Sequence, residues 1–96
     1  MQVSFCPIKD AINSNKHGVP LSFARNMDES KMFSYPDRRK DYREERWIGL
    51  APIGKRLFCA VFTLRSDIRH VISLRKANPR EIKRYEQNQP FHNAHS

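Results

Sequence analysis

The sequence predicts an α+β fold: two short N-terminal helices, a curled antiparallel β-sheet of about four strands, and a C-terminal helix. Three observations predict it. Residues 56–65 (RLFCAVFTLR) and 68–76 (IRHVISLRK) alternate side chains with a period of two on either side of a short polar turn, the pattern of a hairpin. Residues 7–17 and 79–87 each open on a proline, the residue best tolerated in a first helical turn. The links between the strand-like segments are short, and short links join antiparallel neighbours. At 96 residues, 39% of them hydrophobic, the chain suffices for one modest core, with a single domain over 1–88 and a flexible C-terminal tail over 89–96.

In CPIKDAINSNKHGVP (6–20), Pro7 suits the first helical position and Gly18 the left-handed residue after the last turn. Ile8, Ala11 and Ile12 form a narrow apolar stripe, expected to face the core, and Lys16 and His17 fall where the helix dipole favours positive charge. Cys6 is a poor N-cap. Val19-Pro20 begins a second short helix with Phe23 and Met27 on its buried side. KMFSY (31–35) reads as a short strand, PDRRKDYREE (36–45) as a charged, mobile loop, RWIGLA (46–51) as a strand and PIGK (52–55) as a turn. In the last helix Asn78 is the cap, Glu81 stands where a capping box places its acid, and Ile82 and Tyr85 face inward.

Pairing 56–65 with 68–76 about the turn sets Leu64 by Ile68, Phe62 by His70, Ala60 by Ile72 and Phe58 by Leu74 on a core face that the helices cover. The other face then pairs Thr63 with Arg69, Val61 with Val71, Cys59 with Ser73 and Leu57 with Arg75. Two arginines flank small residues on an open surface, with Arg80, Lys83 and Arg84 following at once. Arginine grips phosphate through two parallel hydrogen bonds, so this face predicts a polyanion site. The plainer reading is surface ion pairs with Glu44 or Glu45.

Charge points the same way. Eighteen Lys and Arg against ten Asp and Glu give a formal net charge of +8. So basic a small domain meets nucleic acid, an acidic protein or an anionic membrane surface, and nucleic acid fits best. No apolar run approaches the roughly 18 residues of a membrane span, and the N-terminus lacks the basic-then-apolar order of a signal peptide, so a cytoplasmic protein is expected. Cys6 and Cys59 match no metal or redox spacing and read as reduced thiols. Neither metal nor cofactor is expected.

Four blocks carry a family resemblance. They are Lys9, Asn13 and Lys16-His17-Gly18-Val19; Glu44-Glu45-Arg46-Trp47-Ile48-Gly49; the hairpin 61–77; and Glu81 with Tyr85. In this order, from about residue 3 to 86, the chain resembles the BrnT family of toxins from type II toxin–antitoxin pairs, similar in fold to the RelE/ParE group of small ribonucleases. Three positions depart from the pattern: Cys6 where an acid is usual, Arg43 where glycine is common, and Leu74 where a small residue is usual.

The resemblance implies a metal-independent endoribonuclease that cleaves RNA to inhibit translation and growth. It also implies neutralisation by a BrnA-type antitoxin, a toxin dimer within the complex, and operator DNA bound through the antitoxin. The chemistry needs a base for the ribose 2′-hydroxyl, an acid for the leaving oxygen, and cations for the charge that builds on phosphorus. Arg75 and Arg65 are the first phosphate clamps, with Arg69 behind them. His17 is an acid or base, or else a helix-end histidine bonded to a carbonyl. Glu45 is a base or a salt-bridge partner, and Tyr85 a stacking or proton-transfer group or a packing residue. Lys9, Asn13 and Lys16 face RNA or merely solvate the helix, and Arg80 and Arg84 extend the RNA surface. Two other functions compete: a non-catalytic nucleic-acid-binding domain, and a degenerate toxin that keeps only antitoxin binding.

Overall fold

A computed structural model describes residues 2–41 and 43–89. Its frame is one five-stranded sheet ordered β1-β5-β4-β3-β2, with β1 Val3–Ser4, β2 Phe33–Pro36, β3 Trp47–Ile53, β4 Arg56–Arg65 and β5 Ile68–Lys76. Four of these strands pair antiparallel as expected, whereas β1 joins β5 in parallel, making the sheet mixed. The sequence reading missed β1 because a two-residue strand carries no period.

The β4–β5 register differs from the expected one. Arg65 pairs with Ile68, Leu64 with Arg69 and Thr63 with His70, while Ala60 pairs with Leu74 and Cys59 with Arg75. Between these stretches Val61 meets Ser73 and Phe62 meets Val71, leaving Ile72 as the extra residue of a bulge. An inserted residue reverses the parity of the strand on one side of it. Val71 is therefore fully buried in the main core, and Ile72 packs on the opposite face. The turn itself is tight, with Ser66 and Asp67 both at positive φ, as a two-residue hairpin loop requires.

Helices lie on both faces of the sheet rather than on one. A 3₁₀ helix, Leu21–Asn26, seats Leu21 and Ala24 against Phe58, Ala60, Phe62, Val71 and Leu74, and Met27 joins the same cluster. On the other face, Ile48, Leu50, Cys59 and Val61 form a second cluster over which Tyr85 of α2 (Pro79–Gln87) packs. The reason lies in the central strands. WIGLA and LFCAVF are apolar at nearly every position, so both of their faces need cover.

The first helix, α1 (Pro7–His17), is placed by a polar residue. Its apolar stripe does not face the core: Ile8 is 73% exposed and Ile12 59%. Asn13 is the buried residue of the helix, and its amide docks on the free edge of β5. Asn13 Nδ2 donates to the carbonyls of Leu74 and Val19 (2.9 Å each), and Oδ1 accepts from the Leu74 N–H at 3.1 Å. Gly18 closes α1 at φ 76°, its N–H bonded to the Ser14 carbonyl, while Asp10 accepts from the Leu21 N–H at 2.6 Å and fixes the turn into the 3₁₀ helix. Residues 90–96 of the expected tail lie outside the described residues; Gln89 is buried, its Nε2 donating to the Tyr85 carbonyl.

Candidate functional site

The site is built by α2 and by the loop after β2. The Ala77 N–H bonds to the Leu57 carbonyl, which fixes where the chain leaves the sheet. Asn78 then caps α2 by accepting from the Glu81 N–H, and Glu81 accepts in return from the Asn78 N–H, a complete capping box. This start aims the first turns of α2 back over β5. Arg80 and Arg84 stand one turn apart and face a loop whose Asp37 N–H is held by the Arg46 carbonyl at 2.7 Å. Between them opens a groove of about 660 Å³, lined by Tyr35, Arg38, Arg39, Arg75, Arg80 and Arg84 among others.

Five guanidinium groups line this groove against two carboxylates, and both carboxylates are engaged. Asp37 accepts from Arg39 Nε (2.8 Å) and Nη2 (2.7 Å). Glu81 accepts from Arg75 Nη1 (2.7 Å) and Nη2 (2.9 Å). Burial works to raise the Glu81 carboxyl, but the Arg75 and Asn78 hydrogen bonds outweigh it and hold Glu81 below its ordinary value. Arg84 lies over the Tyr35 ring, 3.8 Å from its centroid, and burial pushes the Tyr35 phenol up, so the ring stays neutral. Beneath Arg75, burial pushes the Cys59 thiol up to about 12, which makes it a packing residue and not a nucleophile.

A smaller cleft of about 280 Å³ opens between α1 and β5, lined by Lys9, Ile12, Lys16, His17, Ile72 and Ser73. Ser73 and Arg75 point to the same face of β5, so cleft and groove adjoin. The His17 imidazole is held below its ordinary value, first by partial burial, then by the positive charges of Lys16 and Arg75. His17 is thus neutral at pH 7 and able to accept a proton.

The residues singled out from sequence divide between these two concavities and other places. Arg75, Arg80 and Arg84 share the groove, and Lys9, Lys16 and His17 share the cleft. Asn13 touches the cleft, but its amide is spent on backbone bonds. Arg69 and Arg75 do not share a face, because the Ile72 bulge lies between them. Arg69 lies over the Phe62 ring on the main-core side and pairs with Glu29. Arg65 sits at the hairpin turn, paired with Glu44 at 3.0 Å. Six residue steps along β4 take it to Cys59, the position opposite Arg75, about 20 Å along the sheet, so these two do not clamp one phosphate. Glu45 lines a second hollow with Lys40, Glu44 and Arg46, which shares Asp37 and Arg38 with the groove but contains none of Arg75, Arg80 and Arg84. Tyr85 packs on the second cluster and donates its hydroxyl to the Lys31 carbonyl at 2.7 Å.

Sequence reasoning passed over Arg38, Arg39, Asp37 and Tyr35. Their only mark was the Asp-Arg-Arg run in a loop already rich in charge, and nothing local says that this loop faces α2. Among the described residues no group of three or more His, Cys, Asp or Glu is placed to hold a metal ion, and no helix is long and apolar enough to cross a membrane.

Fold and site together define a small, basic α+β domain with a groove lined by arginines. Residues 5–81 match the model of a family described as the ribonuclease toxin BrnT of type II toxin–antitoxin systems. The chain belongs to this BrnT family, a family of ribonuclease toxins, which brings RNA as the substrate class and an antitoxin as the partner class. No curated protein matches the sequence.

Proposed function

We propose that this protein is a metal-independent endoribonuclease toxin that binds RNA along the arginine-lined groove and cleaves it beside Arg75. The five-arginine groove is the observation that carries the reading, because it concentrates positive charge in a concavity where a ribose–phosphate chain can lie. Arg75 spends three of its five N–H donors, two on Glu81 and one on the Lys76 carbonyl. The two left, on Nε and Nη2, lie along one edge of the guanidinium and suit a phosphate held by paired bonds. His17, neutral and in the cleft where the charge of Arg75 reaches it, accepts the proton of the ribose 2′-hydroxyl as that oxygen attacks phosphorus. The P–O5′ bond breaks, a cyclic phosphate forms, and the departing 5′-oxygen takes a proton from solvent. Arg75 carries the charge that builds on phosphorus, and Arg80 and Arg84 hold the flanking backbone. A BrnA-type antitoxin neutralises the protein in the cytoplasm, in a complex that contains a toxin dimer and reaches operator DNA through the antitoxin.

A non-catalytic RNA-binding domain is the second reading, favoured by the engagement of Arg75 with Glu81. End-labelled RNA incubated with the purified protein in EDTA separates the two. Cleavage to a 2′,3′-cyclic phosphate end is expected. Arg75→Ala should lower it about 10²–10³-fold, while Arg75→Lys, which keeps the charge and loses the paired bonds, recovers part of the rate. The rate should fall in acid as His17 protonates, below its ordinary value of 6.5, and His17→Gln should remove that limb. RNA binding without cleavage would establish the second reading, and undiminished cleavage by Arg75→Ala would refute the site.

A further inference from the structure

The outer side of α1 has a shape that the fold of this chain alone does not explain. Of the three large apolar side chains that the described residues leave exposed, two are Ile8 and Ile12, one turn apart on this helix. An amphipathic helix ordinarily stabilises a domain by turning such a stripe inward. Here Asn13 does the docking, and the two isoleucines point to water. Beside Ile12 lies the cleft of about 280 Å³, floored by Ile72 and Ser73. Its size falls just below the range for small-molecule sites, roughly 300–1,000 Å³, and suits one or two inserted side chains.

The rim identifies the occupant. Lys9, Lys16 and His17 surround the cleft, and the one acid of the helix, Asp10, is turned to the Leu21 N–H. A second copy of this chain, itself carrying a net charge of +8, would bring its own lysines against these. We propose that Ile8, Ile12 and the adjoining cleft dock an acidic amphipathic helix of a protein partner, its apolar side chains on the two isoleucines and in the cleft, its carboxylates on Lys9 and Lys16. Spacing of one turn between anchors is how a groove reads a helix, and opposite charge at the rim sets orientation and association rate. The proposal rests on the toxin reading only in what docking does: an occupant of the cleft covers His17 and so shuts the site.

Fluorescence anisotropy with the full-length protein and two synthetic helical peptides tests this. Both peptides share one leucine stripe, and the polar face is glutamate in one and lysine in the other. The acidic peptide should bind at least about tenfold more tightly than the basic one, with an affinity that falls as salt rises. The double substitution Ile8→Ser with Ile12→Ser should weaken it by about tenfold or more, with the melting temperature unchanged because both side chains are already exposed. Equal binding to the two proteins, absence of binding, or no preference for the acidic peptide would each overturn the proposal. So would a sedimentation measurement in which the wild type is a dimer that the double substitution dissociates, since the occupant would then be a second copy. RNA cleavage is read in parallel: cleavage with failed peptide docking refutes only this inference, and docking without cleavage refutes only the ribonuclease reading.

Discussion

Asn13→Ala is the sharpest perturbation the structure offers, because it sets a packing role against an RNA-contact role for one residue. Asn13 is 4% exposed, and its amide joins three backbone groups: the Leu74 N–H, the Leu74 carbonyl and the Val19 carbonyl. These groups lie at the β5 edge and at the turn after α1, and nothing in the alanine variant replaces the lost partner. A buried hydrogen bond contributes about 1 kcal/mol net, and a buried group left unsatisfied costs about 1–3 kcal/mol. Three such bonds, one of them at a partly exposed carbonyl, give a loss of about 2–4 kcal/mol, against a total of about 5–15 kcal/mol for a domain of this kind. At about 4–8 °C per kcal/mol, Tm should fall by roughly 8–32 °C. Urea unfolding followed by circular dichroism checks this: the midpoint should drop while the slope stays constant. Asn13→Asp should be at least as damaging, since a carboxylate there can accept from Leu74 but faces two carbonyls it cannot bond. A variant within about 0.5 kcal/mol of wild type, the usual range for a surface change, with RNA affinity reduced would refute the docking role and restore Asn13 as a ligand contact.

Three further outcomes follow from the same geometry. Gly49→Ala should cost about 1–3 kcal/mol in chemical denaturation, because a Cβ there meets Phe62 Cε1 at 2.9 Å and Met32 Sδ at 3.0 Å. Glu81→Gln should cost about 1–2 kcal/mol at pH 7 by weakening both the Arg75 pair and the capping box. Glu81 has a lowered pKa in the folded state, so its contribution is whole above its ordinary value of 4.5 and disappears as pH falls through the lowered value. Thermal melts of wild type and variant should therefore converge in acid. Arg84→Ala should reduce the salt slope of RNA binding by about one unit, whereas Arg69→Ala, on the main-core side with Phe62 and Glu29, should leave that slope unchanged and lower stability instead.

How much of this was legible in the sequence depends on how far each signal reaches along the chain. Local chemistry was enough for the elements other than β1. Pro7 and Gly18 bound α1, Asn78 and Glu81 start α2, and the alternation in 56–65 and 68–76 locates the hairpin. What failed was parity across distance. Counted back from Leu74, period two places Ser73 and Arg75 correctly, but it puts Val71 and Arg69 outside and Ile72 inside, because the bulge at Ile72 has no residue type that announces it. Isoleucine, unlike glycine, gives no hint of an irregular strand. The apolar stripe of α1 failed for a related reason: periodicity reports that Ile8 and Ile12 share a face, not whether this chain or another supplies the cover.

The bulge also decides what the protein can do with its charge. In an unbroken strand Arg69 and Arg75 would stand on one face, spaced along β5 with Ser73 and Val71 between them, a broad and shallow basic surface. Reversing the parity sends Arg69 to the main-core side, where Glu29 and Phe62 absorb it, and leaves Arg75 alone on the face that α2 partly covers. The positive charge lost from the strand is supplied by α2 and by the loop after β2, through Arg80, Arg84, Arg38 and Arg39. These come from two walls and not one plane, so their field converges on a groove. A concavity with Arg75 at its floor can hold a backbone in one orientation, where a flat arginine face would only attract it.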